Sequence, residues 1–245
     1  MTIFASFERI RIINLPTRAD RRREMDAELR RLDLADDPRV DFVDGIVVQN
    51  PEPFRTAGEK GVFLAHLGIL RDAAAAGESV LILEDDADFA PNAAAWTGVT
   101  DCDIAYGGYE ASDLGDPHQS DIIGAHCMGF SAQAASAIAP FLEKLLDHQS
   151  PPPIDGAYVW FRRQNPGFTT KFSVPAIAFQ RSSRSDIAAR RKFDRVWILR
   201  MPVRAARRLK RWAQRGSWTF GLREAIAISV AGVAIASLAA YYFLN

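Results

Sequence analysis

Along the first 180 residues the apolar positions switch repeatedly between a strand-like and a helix-like period. Ile10, Ile12, Ile13 and Leu15 mark a strand over Arg9 to Leu15, which Pro16 and Thr17 break. Met25, Leu29 and Leu32 recur at helical spacing and predict a helix from about Ala19 to Leu34. Val40 to Val43 reads as a short second strand. After a loop containing Pro51, Pro53 and Gly58, the segment Glu59 to Ala76 is apolar nearly all round (Val62, Phe63, Leu64, Leu67, Ile69, Leu70) and predicts a buried helix. Val80 to Leu83 is a continuous, partly β-branched apolar run bounded by Gly77 and Pro91, as a buried strand would be. Asp103 to Tyr106 and Cys127 to Phe130 read as further strands and Ala132 to Leu146 as a helix. After the break at Pro151 to Pro153, Ile154 to Phe161 and Val174 to Gln180 close the domain. Strands alternating with helices imply an α/β fold with a mostly parallel sheet covered on both faces.

The C-terminal quarter follows another pattern. Ala225 to Leu244 is a run of 20 residues without a charge, long enough to cross ~30 Å of hydrocarbon as a helix. Trp218 and Phe220 precede it and Tyr241, Tyr242 and Phe243 close it, as interfacial aromatic belts would. Its alanine content also fits a buried core helix, the competing reading. Gly232, Ala236 and Ala240 form a small-residue stripe through which two such helices could pair into a homodimer. Before this run, Ala205, Leu209 and Trp212 recur at i, i+4 and i+7 amid Arg204, Arg207, Arg208, Lys210 and Arg211, a pattern suited to lying on an anionic leaflet. A nucleic-acid surface would use the same residues. Beside a membrane span, lipid headgroups are the nearer polyanion, so a membrane surface and no nucleic acid is the expectation. The organisation expected is a domain over residues 1–187, a basic juxtamembrane segment over 188–224 and a transmembrane helix over 225–244.

Charge sharpens this division. The formal net charge is zero, yet residues 1–180 hold 16 Lys/Arg against 27 Asp/Glu and residues 181–245 hold 14 against 3. The Lys/Arg excess before the span should stay cytoplasmic, so the domain is expected on the cytoplasmic face of a membrane, such as a bacterial inner membrane. Cys102 and Cys127 match no metal-ligand spacing and are expected as reduced thiols. The N-terminus carries charges by position nine and shows no secretory signal.

The candidate chemistry lies where the Val80 to Leu83 run meets Glu84, Asp85, Asp86 and Asp88. Ligands gather at the carboxyl ends of strands in open α/β sheets. If the strand continued, Glu84 and Asp86 would point to one side and Asp85 to the other. Two carboxylates so placed suit a hard divalent cation, Mg²⁺ or Mn²⁺, carrying a diphosphate, with Asp88 a looser candidate ligand. A solvated acidic loop is the alternative.

Several short motifs carry a resemblance. Ile13-Asn14-Leu15-Pro16 with Arg18, Asp20, Arg21, Arg22 and Met25 resembles the opening of glycosyltransferase family 25, the lipooligosaccharide and collagen galactosyltransferases. Gly58-Glu59, Gly61, His66 and Leu67 resemble its second block, and Leu83-Glu84-Asp85-Asp86 its acidic signature. Ile154-Asp155, Gln180 and Ser185-Asp186-Ile187 resemble its closing blocks. The resemblance implies a GT-A type fold that holds a nucleotide-sugar, often UDP-galactose, through Mn²⁺ or Mg²⁺ and inverts the anomeric carbon. It places Asn14, Arg18, Asp20, Arg21, His66, Glu84 and Asp85 towards the nucleotide-sugar and Glu84, Asp86 and Asp88 towards the metal. An inverting displacement needs a general base. Asp155 is the candidate by analogy, a helix-capping role being equally open, with Asp103 and Glu110 as alternatives. His126 could approach the metal or serve the structure, and His118 and His148 are assigned to surface loops. The function implied is a membrane-anchored hexosyltransferase acting on a lipid-linked saccharide such as lipopolysaccharide. The rival readings are a Mg²⁺-dependent phosphotransferase and a tail-anchored binding module without activity, the latter allowed by Lys60 and Ala65, which depart from the family's usual residues.

Overall fold

The computed structural model describes residues 3–93, 96, 101–113 and 115–181. A 3-10 turn, Ile3–Ala5, precedes β1 (Arg9–Asn14), α1 (Ala19–Arg31), β2 (Val40–Asp44), α2 (Ala57–Ala76), β3 (Val80–Glu84) and β4 (Ala87–Phe89). Then come β5 (Ile104–Ala111), β6 (Ile122–Phe130), α3 (Ala132–Leu145), α4 (Ile154–Gln164), β7 (Thr170–Phe172) and β8 (Ala178–Gln180). Six strands form one sheet in the order β2-β1-β3-β6-β5-β7, and β4 pairs with β8 in a separate ribbon. β1 runs parallel to β2 and β3, and β5 parallel to β7, whereas β6 is antiparallel to β3 and β5. The reversal has a simple cause: no helix separates β5 from β6, so the chain turns back on itself. The architecture is α/β with a mostly parallel sheet.

Alternation along β3 assigns the two faces. Leu81 and Leu83 join Ile10, Ile12, Met25 and Leu29 in a core under α1, while Val80 and Ile82 join Phe63, Leu67, Leu70, Ile138 and Tyr158 in a core under α2, α3 and α4. Both faces are thus covered, which is why β3 is apolar at every position from Val80 to Leu83.

α2 is fixed at both ends. The Thr56 hydroxyl accepts a bond from the Glu59 N–H at 3.1 Å, and Gly77 ends the helix in the left-handed region at φ 68°. Gly61 permits a close approach: a Cβ there would lie 2.2 Å from the Ile46 carbonyl oxygen. That contact seats the first turn of α2 against the chain leaving β2 and sets the position of His66, one turn further on.

From β1 the chain passes to β2 on one side and returns to β3 on the other, so the strand order reverses between β1 and β3. The crevice at such a reversal is the usual ligand site of an open α/β sheet. Asn14 ends β1 and Glu84 ends β3, beside it.

One local expectation is corrected: β3 stops at Glu84, and Asp85 and Asp86 form a turn into β4, so period-two alternation does not carry through the acidic residues. The segment from Ile154, to which the sequence assigned no element type, is the helix α4, and the three-residue strands β4 and β7 had no apolar run to announce them. The basic segment, the 225–244 run with its small-residue stripe, and Ser185-Asp186-Ile187 lie outside the described residues. Among the described residues no helix is long and apolar enough to cross a membrane.

Candidate functional site

The acidic residues at the end of β3 are not equivalent. Asp85 is 5% exposed. Its Oδ2 accepts from Asn14 Nδ2 at 2.7 Å and its Oδ1 from Arg21 Nη1 at 2.8 Å. Position explains this: Asn14 and Asp85 project towards the α1 face, where Arg21 stands in the first turn of α1. The same guanidinium reaches Asp86 Oδ2 through Nη2 at 3.3 Å. Asp88, on β4, is buried and held by Arg181, whose Nε and Nη2 lie 2.8 and 2.7 Å from Asp88 Oδ1. Arg181 also bonds Glu24 Oε2 at 2.7 Å, tying the β4–β8 ribbon to α1. Asp88 is therefore committed to an internal ion pair, which corrects its assignment as a metal ligand.

Glu84 and Asp86 are left under-neutralised. Glu84 points to the other face of the sheet, with 17% of its side chain exposed. Its contacts there are Gln180 Nε2 at 3.3 Å and His66 Nε2 at 4.0 Å, beyond hydrogen-bond reach. Burial, then the Asp86 charge, holds the Glu84 carboxyl well above the ordinary range. Burial raises Asp86 too, against the opposing pull of Arg21. Asp86 Oδ1 is buried with no hydrogen-bond partner. These two carboxylates, both disfavoured as anions and one with an orphaned buried oxygen, are the residues here that could hold a divalent cation. Among the described residues no three His, Cys, Asp or Glu side chains form a closed cage. Mg²⁺ commonly binds through one or two carboxylates plus ligand phosphates, and an open pair fits that mode.

His66 is fully buried, and its Nδ1 lies 2.9 Å from the Tyr158 hydroxyl on α4. Burial pushes its pKa down to about 3, favouring the neutral ring, which links α2 to α4 through Tyr158. Arg18 and Asp20 clasp each other at 3.0 and 2.9 Å where α1 begins, and the Arg18 guanidinium holds the Asp20 carboxyl below its usual range. Asn14 Nδ2 also approaches the Arg18 carbonyl at 3.4 Å, which keeps this pair beside the crevice.

Asp155 is in the first turn of α4, whose N-cap position is Pro153. Its Oδ2 accepts from the Gly124 N–H and its Oδ1 from the Gly156 N–H, both at 2.8 Å. Gly124 has a φ of 89°, a left-handed conformation that glycine adopts readily. Asp155 thus joins β6 to α4, and its charge contributes to raising Glu84. Asp103 is elsewhere. It precedes β5 at the opposite end of the sheet, where its carboxylate accepts from Ser131 Oγ at 3.0 Å and the Thr169 N–H at 2.9 Å. Five residues of strand, about 3.3 Å each, separate its end of the sheet from Glu84, so its candidacy as the base is corrected to a structural tie. Glu110 is exposed near the end of β5. His126 is fully buried with Nε2 3.0 Å from the Ala178 carbonyl, a structural pin between β6 and β8.

Tyr158 and Arg181 had gone unmarked in the sequence. Tyr158 lies one helical turn from Asp155, a spacing that places both on one side of α4 once the segment is read as a helix. Arg181 had no local signal, since its partners are 93 and 157 residues away.

No protein-family model matches the chain, and no curated protein matches it.

Proposed function

We propose that this protein is a metal-dependent glycosyltransferase of GT-A type, moving a hexose from a UDP-sugar, galactose being the first candidate, to a hydroxyl of a lipid-linked saccharide. The observation that carries the reading is the sorting of carboxylates at the β1–β3 reversal. Asp85 and Asp88 are hydrogen-bonded to arginine, Asp86 shares Arg21 through Oδ2 and keeps Oδ1 unpartnered, and Glu84 has no arginine partner among the described residues, so Glu84 and Asp86 are the pair open to a cation. Glu84 and Asp86 are the residues that would hold Mn²⁺ or Mg²⁺. Such an ion, when bound, supplies Lewis-acid stabilisation to a departing diphosphate.

The chain's own groups account for the remaining tasks. The Asn14–Asp85–Arg21 cluster fixes the crevice floor next to the nucleotide, with Arg18 and Asp20 at its rim. His66, neutral and bonded to Tyr158, holds the wall behind Glu84. Asp155 is oriented by two N–H donors and keeps a second lone pair on each oxygen. It receives the proton of the acceptor hydroxyl. The 225–244 run anchors the domain and the basic segment rests on anionic lipid, which raises the effective concentration of an amphiphilic acceptor.

UDP release tests this reading with the whole chain in detergent, Mn²⁺, a panel of UDP-hexoses and lipid-linked saccharides. Asp155→Asn is expected to lower the rate by about 10²–10⁴-fold, the usual contribution of a general base, with donor binding retained. A stable chain that releases UDP from no donor with any divalent metal would overturn the proposal. Sedimentation with membranes, reversed by detergent and resistant to high salt, is the outcome expected of the anchor.

A further inference from the structure

Two arginines lie side by side near the end of α4 and have opposite fates. Arg163 points outward and pairs with Asp121 at 3.0 Å and the Gln119 carbonyl at 3.1 Å. Arg162 turns inward, 9% exposed, and among the described residues no carboxylate pairs with it. The face of its guanidinium is occupied, lying 5.2 Å from the Tyr106 ring centroid and 5.1 Å from that of Phe172, two rings stacked on each other at 4.6 Å. One edge is used as well, since Nη1 donates to the His118 carbonyl at 3.3 Å. Nε and Nη2 are both buried with no hydrogen-bond partner, and so is the Tyr106 hydroxyl.

Nε and Nη2 are adjacent donors on one edge of a rigid plane, the fork with which arginine binds a carboxylate or phosphate through two parallel bonds. Cation–π contact stabilises the face of the group and leaves those N–H donors unmet. A buried cation without a counter-charge is costly, and a complementary anion removes the cost. The Tyr106 phenol, raised to about 12 mainly by burial against the opposing pull of the adjacent Arg162 guanidinium, keeps its proton, and its O–H is a further donor beside the fork. We propose that Arg162 and Tyr106 form an oxyanion-binding site, separate from the acidic end of β3, that takes a phosphate or carboxylate group of a small ligand. Arg162 follows Asp155 by seven residues on one helical stripe, about 10 Å along the axis, and the Asp155 charge is felt at Tyr106. If the transferase reading holds, on which this step alone rests, the anion belongs to the acceptor and anchors it while its hydroxyl meets Asp155.

The test is the melting point of the whole chain in detergent with sodium phosphate or sodium acetate, against sodium chloride at equal ionic strength. A rise of roughly 3–6 °C is expected at a tenfold excess over Kd. A rise with phosphate alone marks a phosphoryl ligand, and with acetate alone a carboxylate. Arg162→Lys keeps the charge without the fork and should lose most of the shift, Tyr106→Phe should weaken it, and Asp86→Ala should retain it. No rise beyond chloride, a rise undiminished in Arg162→Lys, or one lost in Asp86→Ala would overturn the proposal. Should Arg162→Lys not fold, an undiminished rise in Tyr106→Phe overturns it equally. The outcome is independent of UDP-sugar turnover, so this proposal and the transferase reading can fail separately.

Discussion

Asp86 bears the sharpest conflict between stability and function in this molecule. Its charge is disfavoured by burial and crowded by Asp85. Asp86→Asn should therefore raise the metal-free melting point, by about 2–4 °C for roughly 1 kcal/mol, while removing Mn²⁺-dependent donor binding. Arg21→Met should do the reverse, because it leaves Asp85 buried beside Asn14 alone. A loss of about 3–5 kcal/mol is expected from breaking such a pair, read by denaturant unfolding at neutral pH. His126 gives the pH test. Its native pKa is depressed to about 4 by burial. Between about pH 6.5 and 4 the unfolded chain binds this proton and the native chain does not, so stability falls as pH falls through that window, by up to about 3 kcal/mol. His126→Gln should flatten that part of the wild-type melting curve against pH. The acidic cluster was visible in the sequence as four carboxylates in five residues, but their division of labour was not. Arg21 is 64 residues from Asp85 and Arg181 is 93 from Asp88, and nothing local announces either pair.

At the scale of elements, the long apolar patterns translated directly. α1, α2, α3, β1, β2 and β3 lie within a few residues of where the hydrophobic periods put them, because each buries a continuous stripe or run. β4, β7 and β8 have three residues each, and their pairing comes from tertiary contact rather than a local period. α4 was obscured by its closely spaced aromatic and apolar residues, although Ile154, Ala157, Tyr158, Phe161 and Arg162 mark a single helical side. Lys60, which departs from the resembled motif, donates to the Asn50 and Glu52 carbonyls at 3.1 and 2.7 Å, so it secures the loop before α2 and leaves the crevice untouched. Gly61 has the opposite character: Gly61→Ala forces its Cβ against backbone. A loss of about 1–3 kcal/mol is expected, measured by thermal melting, with α2 displaced from the β2 loop.

At the largest scale, the described domain is organised by the strand reversal between β1 and β3. That reversal brings Asn14, Arg21, Glu84, Asp85 and Asp86 to the carboxyl ends of β1 and β3 from segments far apart in the chain, and Asp155 on α4 is tied to β6 through the Gly124 N–H. Alternating strands and helices made the α/β class legible. Strand order was not legible, because it depends on which edges pair and not on the pattern within any strand. The central claim is that Glu84 and Asp86 hold a divalent cation that in turn holds a nucleotide diphosphate. Equilibrium binding of UDP-galactose to the whole chain, in Mn²⁺ and in EDTA, with Asp86→Asn in parallel, tests it most directly. Binding in Mn²⁺ that weakens about a hundredfold in EDTA and in the variant, roughly 2.7 kcal/mol, is the predicted result. Equal affinity with and without metal, or unchanged affinity in Asp86→Asn, would contradict it.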